Sequence, residues 1–325
     1  MIMRSSKSPW DDMKTPDSDY TVRYVTSPGN VSLCWGKDVR GQCLFIVQLE
    51  GDHTEQFRKN ATTVNGIEVD LRQLPEPGKQ GLILTLEKHV DRDLFHGLCQ
   101  TLIGNLDGIS DPAAALGVAM NHIKRWKAFL AGKRTRVLST EEVRGLFAEL
   151  NFLRLLKEKH LTDAQAVEAW CGPDRIHQDF IFGDTAVEVK SISGRDRSIV
   201  RVSSEDQLET VSEHLFLKVC RLTEAPDGTP AQSLNELVSV VGHELSDADA
   251  IENYWRKLAT YGYVEMREYD NPKFLVNGSN SYRVADDFPR LVRSELPDGV
   301  VDVKYNLQLE NIATFECNQN EIWGS

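Results

Sequence analysis

Two carboxylates and a lysine crowd one short stretch of this 325-residue chain: Asp179, Glu188 and Lys190. They flank Gly183-Asp184, which separates Phe180-Ile181-Phe182 from Thr185-Ala186-Val187. Glycine followed by a polar residue suits a two-residue type II′ hairpin, whose first central position needs positive φ. In that register Phe182 faces Thr185, Ile181 faces Ala186, Phe180 faces Val187, and Asp179 faces Glu188. Opposed residues lie about 4.5–5.5 Å apart at Cβ, and like charges there repel. The strand period of two puts Lys190 on the face of Glu188, with Val187 and Val189 on the other. A strand pair gains nothing from two facing acids in an apolar setting. A divalent cation between them removes the repulsion, so the stretch reads as a metal site.

A third acid, Glu149, falls in a helical stretch where its neighbours at three and four residues are Gly145, Leu146, Phe152 and Leu153. Val143, Leu146, Phe147, Leu150 and Leu153 form the packing stripe, with Glu149 at its edge. A carboxylate turned toward a core is costly unless it is paired or bound to a metal. Glu149 therefore either reaches out to solvent or an arginine, or completes a metal site against the hairpin, with Gly145 allowing close approach.

Asp179, eight residues, then Glu188-Val189-Lys190, with Glu149 on the preceding helix, resembles the motif of the PD-(D/E)XK nuclease superfamily. Over roughly residues 111–310 the chain also resembles bacterial "PD-(D/E)XK motif proteins". The stretches concerned are Gly145 to Leu150, Asp179-Phe180, Glu188-Val189-Lys190, Ser203 to Gln207-Leu208, and Asp286-Asp287-Phe288-Pro289-Arg290. The resemblance implies a DNA endonuclease using Mg²⁺, or Mn²⁺ in its place. Asp179 and Glu188, to which the pairing argument also points, would bind the metal with the Val189 carbonyl. Lys190 would orient the attacking water or stabilise charge on the phosphate. Glu149 would hold a second metal or a metal-bound water, and Gln207 would sit near the scissile phosphate. The family further implies a prokaryotic restriction or anti-phage system, with a methyltransferase or an ATP-dependent helicase as partner. The literal Pro173-Asp174 is a decoy, because Asp174 precedes the register point by five residues and would not face Glu188. His177 is expected across from Lys190.

The formal charge of −12 is unusual for a protein that contacts phosphates. Its distribution matters more than its total. Lys124, Arg125, Lys127, Lys133, Arg134, Arg136 and Arg144 cluster before the hairpin, and Arg195, Arg197 and Arg201 follow it. Lys133, Arg134, Arg136, Arg195, Arg197 and Arg201 are the candidate DNA contacts, a solvated face being the alternative. With 41% hydrophobic and 26% charged residues the composition is that of a soluble globular protein. No apolar run nears 18 residues and no signal peptide is evident, so a cytoplasmic protein without a membrane span is expected. Six cysteines without a C-x-x-C pair point to reduced, buried thiols.

The elements needed to hold these residues define an α/β fold in three parts. Residues 1–110 read as a β-rich domain, with strands at Val31–Trp35, Cys43–Leu49, Gly66–Leu71 and Gly81–Glu87 and a helix at Asp91–Ile103. Residues 111–229 read as a restriction-endonuclease-like core, a mixed sheet flanked by helices. Asp111-Pro112 starts its first helix and Ser139 with Glu142, a capping box, its second. The hairpin follows, then a strand from Ile199, a helical turn near Glu205–Glu209, and a strand at Leu215–Leu222. After the Ala225–Pro230 linker, residues 230–325 read as two helices and a hairpin (Val264–Glu268 and Phe274–Val284), like a winged helix or a plain packing domain. Two rivals to the nuclease remain: an inactive DNA-binding or assembly subunit of the same fold, and a winged-helix regulator. A homo-oligomer stays open.

Overall fold

The computed structural model describes residues 8–25, 31–64, 66–87, 91–131, 137–159, 161–174, 176–193, 198–225 and 230–323. The chain forms two compact units, where the sequence suggested three parts. One comprises Met1–Thr135 with Val264–Arg267, the other Arg136–Tyr263 with Glu268–Ser325.

The first unit is built on an antiparallel sheet of β1 (Tyr20–Tyr24), β2 (Val31–Asp38), β3 (Cys43–Glu50), β4 (Ile67–Gln73) and β5 (Lys79–Leu86), in the order β1-β2-β3-β5-β4. The central strand β3 is buried from Cys43 to Leu49, as befits a strand covered on both faces. Three helices accompany it: α1 (Thr54–Asn60), α2 (Arg92–Asn105) and α3 (Pro112–Ala131). Asp91 caps α2 by accepting the N–H groups of Asp93 and Leu94, relieving two orphan donors of its first turn. The helix starting at Pro112, expected to open the nuclease core, belongs instead to this unit. Its buried residues Leu116, Ala119, Met120, Ile123 and Trp126 recur at helical spacing, so a sequence reading finds the helix but not the sheet it serves.

The second unit begins with α4 (Thr140–Lys159), opened by the expected capping box. The Ser139 N–H donates to Glu142 Oε2 at 2.8 Å, and the Glu142 N–H donates to Ser139 Oγ at 3.3 Å. After α5 (Asp163–Ala169) come β6 (Phe180–Phe182), β7 (Thr185–Ser193), β8 (Ile199–Val202) and β9 (His214–Ala225). Next are α6 (Leu234–Glu244), α7 (Ala248–Tyr261), β10 (Lys273–Arg283), β11 (Tyr305–Gln308) and β12 (Glu316–Cys317). The main sheet runs β12-β10-β9-β7-β6, with β7 and β9 parallel and the other pairs antiparallel; β8 and β11 form a separate two-stranded sheet.

The expected C-terminal wing does not form. No strand covers Val264–Glu268, and β10 pairs with β9 in the main sheet. The reason is burial: β9 is buried from Leu215 to Cys220 and needs hydrogen-bonding partners on both edges, which β7 and β10 supply. Residues from Glu268 onward thereby belong with the mixed-sheet core rather than to a domain of their own. Ala186, Ile192, Leu217 and Val219 of this sheet pack with Val200, Leu208, Phe288 and Leu307. On the opposite face Phe152 of α4 meets Phe180, ring centroids 4.8 Å apart. All six cysteines are free thiols, and all but Cys317 are buried. No helix among the described residues is long and apolar enough to cross a membrane.

Candidate active site

The β6–β7 hairpin has the register its sequence dictates: Phe182 pairs Thr185, Ile181 pairs Ala186, Phe180 pairs Val187. Gly183 has φ +55°, while Asp184 is outside the left-handed region, the combination a type II′ turn requires. Asp179 stands one residue beyond the ladder. Its Oδ2 accepts the Val189 N–H at 2.8 Å. A strand residue's N–H and C=O leave on the same edge. The Val189 carbonyl therefore points to the edge where Asp179 sits, away from β9.

Glu188 is 1% exposed. Lys190 Nζ lies 2.7 Å from its Oε1. The contact pairs the two charges in a setting where a carboxylate is costly to bury. Lys190 also donates to Gln207 Oε1 at 2.9 Å, and the same oxygen accepts the Ser203 N–H at 2.8 Å. Gln207 thus holds the lysine. The turn carrying it, Glu205–Leu208, is in turn held by buried Gln178, whose Nε2 donates to the carbonyls of Asp206 at 3.0 Å and Glu209 at 2.7 Å.

Glu149 does not reach out to solvent. It is 6% exposed, and its Oε2 accepts the Trp170 indole N–H at 2.7 Å. Trp170 begins a segment that runs beside Asp179: the Cys171 and Gly172 N–H groups both donate to the Asp179 carbonyl, at 2.7 and 3.0 Å. This lays Gly172 directly against the acids. A Cβ built on it would stand 2.6 Å from Glu149 Oε2 and 3.1 Å from Asp179 Oδ1. Its φ is ordinary, so the glycine serves space rather than a left-handed turn. What approaches Gly145 is the Tyr261 hydroxyl of α7, 3.4 Å from the corresponding Cβ position, not the hairpin. Trp170, Gly172, Gln178 and Tyr261 escaped the sequence reading. Gly172-Pro173-Asp174 offered a turn signal, but nothing in it pointed at a carboxylate.

The decoy Asp174 pairs with the buried Lys257 ammonium at 2.9 Å. Lys257 also donates to the Trp170 carbonyl and, at 3.3 Å, to that of Glu168. His177, expected across from Lys190, is exposed instead, its Nδ1 3.7 Å from Asp206 Oδ2. It precedes the last ladder pair by three residues, and the strand ends before its alternation can reach it. Arg201 is exposed on β8 and makes no ion pair among the described residues. Lys133, Arg134, Arg136, Arg195 and Arg197 lie outside the described residues.

Three acids face one lysine here, and burial makes each charge expensive. Burial, then the Asp179 charge, holds the Glu149 carboxyl well above the usual carboxylate range. Burial also raises Asp179, against the opposing pull of Lys190 and the Val189 N–H. Burial and the Asp179 charge push Glu188 up to about 8. For Lys190 burial works downward, but the charges of Glu188 and Asp179 outweigh it and raise the ammonium. A divalent cation would relieve this excess of negative charge. The donor set suits one that prefers oxygen ligands: the buried Glu188 carboxylate, that of Asp179, and a backbone carbonyl.

The three acids' oxygens do not all approach within 4.8 Å of one another, a spacing that among the described residues only Asp184, Glu213 and His214 achieve. Glu149 comes from the helix on one face of the sheet, Glu188 projects from the other, and Asp179 stands at the strand edge between. The second group lies at the turn end of β7 and the start of β9. Its acids are exposed and its histidine is half-buried.

No curated protein and no solved structure matches the chain. A family profile does, over residues 6–310, and its description reads "Putative PD-(D/E)XK family member (DUF4420)". With a mixed α/β unit carrying Asp179, Glu188 and Lys190 on one hairpin, and with nearly its whole length inside that match, the chain belongs to the DUF4420 family.

Proposed function

We propose that this protein is an endonuclease that hydrolyses DNA phosphodiester bonds with a divalent cation, Mg²⁺ or Mn²⁺. The observation that carries this reading is Glu188: a carboxylate only 1% exposed, paired with Lys190 at 2.7 Å, at the strand edge shared with Asp179 and the Val189 backbone. Asp179, Glu188 and the Val189 carbonyl would hold the cation, and Glu149 a second one or a bound water. Such a cation supplies Lewis acidity toward the phosphate and lowers the pKa of water. The other roles fall to the chain itself. Lys190, oriented by Gln207, presents N–H donors to the attacking water or the charged phosphate oxygens. Trp170 fixes the Glu149 carboxyl, and Gly172 leaves it room.

The net charge of −12 supports delivery to DNA by a partner. A helicase or methyltransferase of a cytoplasmic restriction or anti-phage system fits that role. The test is plasmid nicking by the wild type and Lys190→Ala, with and without Mg²⁺. Nicking by the wild type alone, and only with Mg²⁺, is the expected result; equal nicking by both discredits the site. Metal binding by calorimetry without any nicking would favour an assembly subunit.

A further inference from the structure

The cations singled out by clustering leave out the arginine best placed to meet a phosphate. Residues 288–294 are stapled across the turn that carries Gln207. The Arg293 N–H donates to Glu209 Oε2 at 3.0 Å and Ser294 Oγ to Glu209 Oε1 at 2.9 Å. The Arg293 guanidinium meets the buried Glu205 carboxylate at 3.4 Å, and that carboxylate also accepts the Val303 N–H at 2.9 Å. The Leu291 N–H donates to the Tyr305 hydroxyl at 3.2 Å.

Within this clamp two arginines differ in what they meet. Arg293 has a carboxylate. Arg290 has only a carbonyl: its Nη1 donates to the Leu208 oxygen at 2.7 Å. It is half-buried and makes no ion pair among the described residues. Leu208 adjoins Gln207, whose side chain holds Lys190 at 2.9 Å. Burial raises the Tyr305 phenol, and the charges of Arg290 and Lys190 both work against that rise. A guanidinium carries five N–H donors in a planar fork suited to two oxygens of one phosphate. One bond to a carbonyl anchors that fork, and among the described residues no carboxylate pairs with its charge.

We propose that Arg290 binds a backbone phosphate of the substrate strand beside the one attacked next to Lys190, setting the register of the strand in the site. The inference rests on the phosphodiester reading of the site. The carbonyl anchor orders the side chain before substrate arrives, so little rotamer freedom is lost on binding.

The test measures binding rather than cleavage, by fluorescence anisotropy with a mixed-sequence DNA duplex over a range of salt concentrations. Glu188→Gln serves as the cleavage-impaired background, with and without Arg290→Gln, and thermal melts check folding. Losing one phosphate contact should weaken binding about tenfold and reduce the slope of log affinity against log salt by about 0.9. A merely structural residue would leave that slope unchanged. Arg290→Lys keeps the charge and loses the fork, so the slope should persist while affinity falls about threefold. Should Arg290→Gln not fold, the lysine variant decides: that threefold loss supports the inference, and unaltered affinity overturns it. Equal affinity and slope with and without Arg290→Gln removes Arg290 from the interface and leaves the nuclease reading intact. A background protein that binds no duplex at low salt takes down both.

Discussion

The Trp170 indole N–H donates to Glu149 Oε2 at 2.7 Å, with both side chains buried. This bond makes a core-facing glutamate tolerable, and it ties the helix of the site to the segment passing beside Asp179. Trp170→Phe keeps most of the apolar volume and removes the donor. The expected loss of stability is about 1–3 kcal/mol, the cost of an unmet buried acceptor. Chemical denaturation measures it, and a cation titration should show weaker binding in the same variant.

Gly172 is the only residue small enough for its place. In Gly172→Ala the new methyl would meet Glu149 Oε2 at 2.6 Å, and that carboxyl cannot swing away without losing Trp170. Overpacking of this kind costs about 1–3 kcal/mol. Displacing a site group by about 1 Å can cost on the order of 10²-fold in rate. The expected variant is folded by circular dichroism and at least about tenfold slower in plasmid nicking. Wild-type rates would show that the Glu149 position is immaterial.

Two aspartates compete for the role the motif names. Asp179 meets the Val189 N–H and lies beside Glu149, whereas Asp174 is taken up by Lys257. Asp179→Asn should lower Mg²⁺-dependent nicking by about 10² or more, the scale at which single charged groups act in catalysis. Asp174→Asn should cost stability, about 1–3 kcal/mol for a weakened partner of a buried lysine, and leave nicking within about tenfold of wild type. Reversed phenotypes would move the site to the literal Pro173-Asp174.

In the other unit, His122 makes stability depend on pH. Burial, with a smaller push from Arg125, lowers its imidazole to about 4, despite the hydrogen bond to the Leu98 carbonyl. Nε2 lies 3.0 Å from that carbonyl, and Nδ1 lies 3.3 Å from Asn105 Nδ2, so the neutral ring fills its place. The unfolded chain takes up a proton near pH 6.5, where the folded one does not. Stability from this residue is therefore complete above about pH 6.5 and declines as pH falls toward about 4. At pH 5 the loss is on the order of 2 kcal/mol, one pKa unit being worth about 1.4. Thermal melts from pH 7.5 to 5 should show a steeper decline for the wild type than for His122→Gln. Parallel declines would remove the residue as the cause.

The hairpin was legible in the chain because its information is local. A glycine that accepts positive φ and a strand period of two place Phe180 opposite Val187 whatever else the chain does. The helix of Glu149 was equally plain from Ser139, Glu142 and its apolar stripe. What tertiary structure alone decided is which distant groups meet these elements. Gly172 against two carboxylates, Trp170 on Glu149, Lys257 claiming Asp174 and Arg290 over Leu208 have no spacing rule, because each depends on packing between segments far apart in sequence. The strand from Lys273 shows the same limit: its alternation was readable as β, but its partner was settled by the unmet edge of a buried strand rather than by its nearest neighbour along the chain.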